Sequence, residues 1–379
     1  MKILYITNSR IPTEKAYGIQ IMKMCEAFSL QNIDLELILP TRKNMPFKGV
    51  DLFEYYSVEK EFKIQKIKSW DPDFLMKLPN GVYIKFQIIF FIHNLKKYFK
   101  NNIKDRSLIM YTRDEYLLPI LQKFSNKVIW EAHSIPRNIK RYLKYWKNCH
   151  KIIVVNNKLK SELEKLGIAG NKILVAHDGV DLEKFNIETS KYELRKKFGL
   201  PEDKKIIMYT GHLYNWKGVQ TLAEASNFLK DDQLIVFLGG TDYDIKNFKN
   251  KNADLIEQNK ILVLGYKEPK LIPEYLKLAD ILVLPNTGKD KKSDWTSPMK
   301  LFEYMASGIS ILASDLPSIK EVLNQKNAIF FKSDNSQDLA EKIDYILNNS
   351  EVMTNLSNQA KQDVREYAWG KRVEKIIKF

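Results

Sequence analysis

Ser297-Pro298-Met299-Lys300-Leu301-Phe302-Glu303-Tyr304-Met305-Ala306-Ser307-Gly308 reads as a short helix with both ends written into it. Ser297 is a good N-cap, Pro298 suits the first helical position, and Gly308 suits the exit. The apolar run Asp280-Ile281-Leu282-Val283-Leu284-Pro285 just before it reads as a buried strand. A helix that opens after a strand and loop presents free backbone N–H groups and the positive end of its dipole, which suits a phosphate. Glu303, further along, is placed to accept hydrogen bonds from two vicinal hydroxyls. Diphosphate and ribose together would be a nucleotide. An ordinary capped helix with a solvated Glu satisfies the same residues, so the segment has to be read with its surroundings.

Working outward, short apolar runs alternate with amphipathic ones along the chain. Strands are predicted at Lys2–Ile6, Leu35–Leu39, Leu108–Thr112, Val128–Glu131, Ile152–Val155 and Ile173–Ala176. A second series follows at Lys205–Tyr209, Gln233–Leu238, Ile261–Leu264, Ile281–Leu284, Ser310–Ala313 and Ala328–Phe331. Helices at Ile19–Ser29, Lys158–Leu166, Val219–Leu229, Ile272–Leu278 and Met299–Ser307 separate many of them. This alternation predicts two parallel, doubly wound α/β sheets. Gly179–Ser190 is the expected linker.

The length of 379 residues favours two domains over one, and 44% apolar with 28% charged residues is a globular composition. Two cysteines, Cys25 and Cys149, give neither a disulfide framework nor a zinc pattern, and imply a reducing compartment. Met1 leads into an apolar strand without a basic leader region, and no apolar stretch is long enough to span a bilayer. The net charge of +15 asks for an anionic partner: nucleic acid, an acidic substrate or an anionic membrane face. No nucleic-acid module accompanies it.

The basic stretch 137–151 carries Arg137, Lys140, Arg141, Lys144, Lys147 and Lys151 with no acid, interleaved with Tyr142, Tyr145 and Trp146. Ile84–Lys100 combines Phe86, Ile89 and Phe90 with Lys96, Lys97 and Lys100. Both fit the interface of an anionic bilayer, and both fit a helix whose aromatic face is core. Two D-x-D triplets, Asp71-Pro72-Asp73 and Asp242-Tyr243-Asp244, are the pattern a metal-dependent transferase needs. The repeated strand–helix organisation counts against that reading, and no metal site is expected.

The segment Ser297–Gly308 resembles the nucleotide-binding helix of GT-B glycosyltransferases, in particular the retaining family four. The resemblance takes in Met1-Lys2-Ile3-Leu4-Tyr5-Ile6, Tyr17-Gly18-Ile19-Gln20, His177-Asp178-Gly179-Val180-Asp181, Tyr209-Thr210-Gly211-His212-Leu213 and Trp216-Lys217-Gly218, in order along nearly the whole chain. It implies a GT-B fold: two Rossmann-like domains facing a central cleft, at 1–180 and 181–363, with 364–379 as a helix crossing back. It implies donor-nucleotide contacts from Gly18, Gly211, His212, Tyr266, Ser297, Pro298, Met299 and Glu303. Lys217, Lys300 and His133 are the expected catalytic residues, and Asp294 and Glu131 the expected donor-sugar contacts.

The match departs from the family in two places. His212 stands where an Arg is usual, and Trp295 stands at the first of the family's two signature glutamates, with Asp294 beside it. The resulting expectation is a retaining transferase without metal or cofactor, using a nucleotide diphosphate sugar as donor and a glycan or lipid-linked acceptor. Arg137, Lys140, Arg141, Lys144 and Trp146 would form its membrane or acceptor face, on the inner side of the cell membrane. A nucleotide-sugar epimerase of the same fold and a non-catalytic basic binding protein are the alternatives.

Overall fold

The computed structural model describes residues 1–72, 82–136, 138–290, 293, 295 and 297–379. They form two compact units, Met1–His177 with Trp369–Phe379, and Asp178–Ala368.

In the first unit β1 (Lys2–Ile6), β2 (Asp34–Pro40), β3 (Lys63–Ile67), β4 (Ile109–Thr112), β5 (Lys127–Ala132), β6 (Lys151–Val154) and β7 (Ile173–Val175) form one sheet. Its order is β3-β2-β1-β4-β5-β6-β7, and every pairing is parallel. In the second unit β8 (Lys205–Thr210), β9 (Gln233–Leu238), β10 (Ile261–Gly265), β11 (Ile281–Leu284), β12 (Ser310–Ser314) and β13 (Ile329–Phe331) form another. Its order is β10-β9-β8-β11-β12-β13, again parallel throughout. Central strands such as β9 and β11 are buried along their whole length. That is why they appear as unbroken apolar runs rather than as alternating ones.

Both sheets have a topological switch point. The chain runs β1 to β2 to β3 on one side, then returns to place β4 against the other side of β1. The second unit repeats this at β8 and β11. In open α/β sheets such points, at the carboxyl ends of the strands, are where ligands bind.

Gly179–Ser190, expected as a linker, is packed. Val180 bridges to Ala368, its N–H donating to the Tyr367 carbonyl at 3.0 Å, and Phe185 is in the core. The tail expected as one helix divides at Ala368, whose backbone is extended. The 3-10 turn Val364–Tyr367 stays with the second unit, and the helix Trp369–Lys378 joins the first. There Arg372 is buried, donating to Glu131 Oε1 at 2.8 Å and to the His177 carbonyl at 2.7 Å.

Candidate active site

The second unit gathers chemistry at its switch point. The loop after β8 begins at Gly211, whose φ of +119° favours glycine, and ends at Gly218, with φ +72°. A Cβ at Gly218 would lie 1.6 Å from the Pro285 carbonyl oxygen, so the loops after β8 and β11 are pressed together there. The helix Met299–Ser307 starts from the second of these loops. Its residue Lys300 reaches back to β8, donating to the Thr210 carbonyl at 2.8 Å with Nζ 3.6 Å from the Tyr209 ring centroid. A Cβ on Gly211 would stand 3.4 Å from that Nζ. Lys217 lies half-buried with its ammonium 3.8 Å from the Trp216 ring centroid.

Burial and neighbouring charge set the electrostatics of this cluster. Burial brings Lys217 down to about 7. Burial and then the Lys217 charge hold Lys300 well below the ordinary lysine value, while Glu303 acts the other way. Burial lifts Glu303 to about 7 against the opposing pull of Lys300. Two buried amines, one of them held down further by the charge of the other, gain from a dianion brought into the crevice.

Ser297 is not the N-cap. Its Oγ accepts from the Asp178 N–H at 3.2 Å, the helix begins at Met299, and Pro298 takes the cap position without a side-chain bond. The start of the helix therefore keeps its dipole uncapped by any side chain, which still suits phosphate. His212 pairs through Nδ1 with Asp244 Oδ2 at 3.2 Å and stacks on Tyr214 at 4.9 Å between ring centres. Tyr266 follows β10, two strands from β8, with its side chain exposed. Asp294, expected at the donor sugar, lies outside the described residues.

In the first unit Gly18 sits in the first turn of the helix Ala16–Leu30. A Cβ there would come within 2.4 Å of the Tyr56 hydroxyl, so packing of its own unit already requires glycine. His133 Nε2 is 2.8 Å from Glu131 Oε1. Glu131 is fully buried and also accepts from Gln20 at 2.7 Å, from Tyr111 Oη and from Arg372. Burial pushes its carboxyl up, but Arg372 and His133 more than offset that and hold it well below the usual range. Glu131 is thus corrected from a sugar contact to a residue that positions His133 and Arg372: with no exposed surface it has no sugar to meet.

Along the helix Ile139–Lys147 the side chains of Lys140, Arg141 and Lys144 are exposed. Trp146, expected on the same face, is fully buried and stacks on Trp130 at 5.0 Å, so it belongs to the core. Arg137 lies outside the described residues. The helix Val82–Asn102 divides its aromatics: Phe91, Leu95 and Phe99 are buried, while Phe86, Ile89 and Phe90 are exposed.

Among the described residues of the two D-x-D triplets, Asp71 and Asp244 have hydrogen-bond partners. Asp71 accepts from the Lys43 N–H at 2.8 Å and from Tyr83 Oη, beside Arg42, and Asp73 lies outside the described residues. Asp242 and Asp244 occupy the first turn of the helix Asp242–Lys251, where Asp244 and Thr241 form a capping box.

Residues 190–363 match the family model described as Glycosyl transferases group 1. A Campylobacter jejuni N,N'-diacetylbacillosaminyl-diphospho-undecaprenol alpha-1,3-N-acetylgalactosaminyltransferase is 30% identical over 227 residues, covering 59% of this chain and 57% of the relative. An Escherichia coli UDP-Gal:alpha-D-GlcNAc-diphosphoundecaprenol alpha-1,3-galactosyltransferase is 28% identical over 160 residues, covering 41% and 39%. The chain thus spans 57% or less of the length of these two relatives. The crystal structure of Anabaena HepE in complex with UDP-glucose superposes with a TM-score of 0.77, at 14% identity, over 100% of this chain and 98% of that one. That likeness concerns fold, and the fold of two Rossmann-like parallel units is the GT-B class.

Proposed function

We propose that the protein is a retaining glycosyltransferase that moves a sugar from a nucleotide diphosphate sugar to a glycan or lipid-linked acceptor in cell-surface polysaccharide synthesis. The observation that carries this reading is the cluster of Lys217, Lys300 and Glu303 at the β8/β11 switch point. It pairs a demand for a dianion with a carboxylate suited to ribose hydroxyls. The named activities of the Campylobacter and Escherichia relatives, both on diphospho-undecaprenol saccharides, support the acceptor class. The UDP-glucose bound to HepE supports the donor class.

Catalysis rests on positive charge at the leaving diphosphate, from Lys217, Lys300 and the open start of the helix Met299–Ser307. The acceptor hydroxyl attacks from the face the nucleotide leaves. The departing β-phosphate oxygen takes its proton, so that no separate base is required. Metal independence is part of the proposal: Asp244 is engaged in the capping box with Thr241, and two lysines do the work of a cation. No cofactor is needed, since the nucleotide sugar is itself the substrate.

Release of nucleotide from a panel of UDP- and GDP-sugars, with a diphosphoundecaprenol-linked saccharide present, tests both parts. Turnover that a chelator leaves unchanged is expected. Loss of activity restored by manganese or magnesium would contradict the metal-independent mechanism. Epimerised sugar nucleotide without nucleotide release would contradict transfer.

The acceptor class implies work at a membrane surface. Among the described residues no helix is long and apolar enough to cross a membrane. The exposed Lys140, Arg141 and Lys144 supply the attraction instead, each worth about 1 kcal/mol near an anionic surface and weakened by salt. The protein is expected to sediment with vesicles containing anionic lipid and far less with neutral ones. The triple change to Glu should release it. Normal binding by that variant removes this face as the anchor.

A further inference from the structure

The helix Trp369–Lys378 buries Trp369, Val373 and Ile376 in the first unit, an apolar stripe of the kind that docks a helix. Among them it also buries a guanidinium. Arg372 is 3% exposed, and a buried charge is costly unless it is paired and hydrogen-bonded. Its Nε donates to the His177 carbonyl at 2.7 Å, and its Nη2 to the Ala176 carbonyl at 3.2 Å and to Glu131 Oε1 at 2.8 Å. One side chain thus joins the residues just past β7 to the carboxyl end of β5, on the edge of the sheet where ligands bind in open α/β folds.

The Glu131 carboxylate has no exposed surface, so it depends on its partners to stay ionised. Burial pushes its carboxyl up, and Arg372 supplies the largest opposing effect. An ionised carboxylate only accepts hydrogen bonds. His133, whose Nε2 is 2.8 Å from Oε1, therefore donates through Nε2, and in the neutral ring Nδ1 is the acceptor. Gln20 also donates to Oε1, at 2.7 Å, its amide turned that way by Arg113, which donates to Gln20 Oε1 at 2.5 Å. A protonated Glu131 would carry an O–H donor of its own and lose its hold on the His133 tautomer.

We propose that Arg372 is a positioning residue for the transfer reaction: through Glu131 it fixes the orientation and tautomer of the His133 ring. The proposal rests on the transferase reading, in which His133 is the expected catalytic residue of the first unit. A merely structural Arg372 would dock a helix, and its loss would be felt as lost stability. A positioning Arg372 acts on turnover through His133, so the two residues behave as a unit. The last helix of the chain is then required for turnover and not only for folding.

The test uses the full chain and a double-mutant cycle of turnover. His133→Ala is expected to lower kcat by about tenfold to a hundredfold, and Arg372→Met by about tenfold with the donor KM nearly unchanged. In the His133→Ala background, Arg372→Met should cost less than about twofold more. Equal losses in the two backgrounds, or an unchanged kcat in Arg372→Met, overturn the proposal. Arg372→Lys keeps a charge beside Glu131 but cannot also serve both carbonyls, so it should recover only part of the loss. It carries the same cycle if the Met variant does not fold, and a cooperative melting transition shows which variants do. Nitrogen-15 NMR of the imidazole rings gives a readout besides activity, with His133 identified by its absence in His133→Ala. The Nε2–H tautomer is expected in the wild type and its loss in Arg372→Met, while an Nδ1–H ring in the wild type overturns the proposal. A wild type that transfers no sugar overturns the transferase reading instead, and the ring signals then still decide whether Arg372 holds His133.

Discussion

Lys217→Ala should lower turnover by about a hundredfold to a thousandfold, the scale expected when one donor to a developing anion is removed. The nucleotide dissociation constant should rise much less. Negative charge on the departing diphosphate is greater in the transition state than in the bound donor, and only that difference accelerates the reaction. Lys300 is a poorer test of the same idea, because its ammonium also binds the Thr210 carbonyl and its loss would disturb β8. A Lys217→Ala enzyme with wild-type turnover would remove the leaving-group role from this residue.

Glu303→Gln should weaken nucleotide binding by about tenfold to a hundredfold, because a charge-assisted bond to ribose is worth about 1.5–3 kcal/mol. The fold should survive the change, since Gln keeps the volume. The pH dependence of binding separates the two residues. Lys217 titrates at about 7 in the free protein, and a bound diphosphate favours its charged form. Binding above that pH therefore takes up a proton, and affinity falls as pH rises. Glu303 also titrates at about 7, but ribose hydroxyls favour its ionised form. Binding below that pH releases a proton, and affinity falls as pH falls. Affinity should peak near pH 7, with Lys217→Ala flattening the alkaline side and Glu303→Gln the acid side. Unchanged affinity in Glu303→Gln takes this residue out of the site.

The apolar strands and both switch-point helices were legible because burial on two faces leaves an unmistakable pattern. β3 was not: Lys63-Ile64-Gln65-Lys66-Ile67 is an edge strand whose lysines hide it among loop sequence and also protect the edge. Ser297 has the sequence of a cap but not its role, because its hydroxyl accepts from the Asp178 N–H, a partner distant in sequence. Trp146 shares a basic helix with Lys144, and periodicity alone does not say that Trp130 waits on its inner side. By contrast, the role of Asp244 was written in plain view, since Thr241 three residues earlier completes a capping box. Arg372 stands on a helix that the sequence predicts, yet its importance depends on which strand ends it meets, which no local pattern carries.

The central claim is that the β8/β11 crevice is built for a nucleoside diphosphate. Calorimetric titration with UDP and GDP, each beside its parent nucleoside, addresses it most directly. One diphosphate should bind at least a hundredfold more tightly than its nucleoside, and above pH 7 its binding should take up protons, fewer in Lys217→Ala than in the wild type. Equal affinity for diphosphate and nucleoside, or binding of neither diphosphate, would contradict the account.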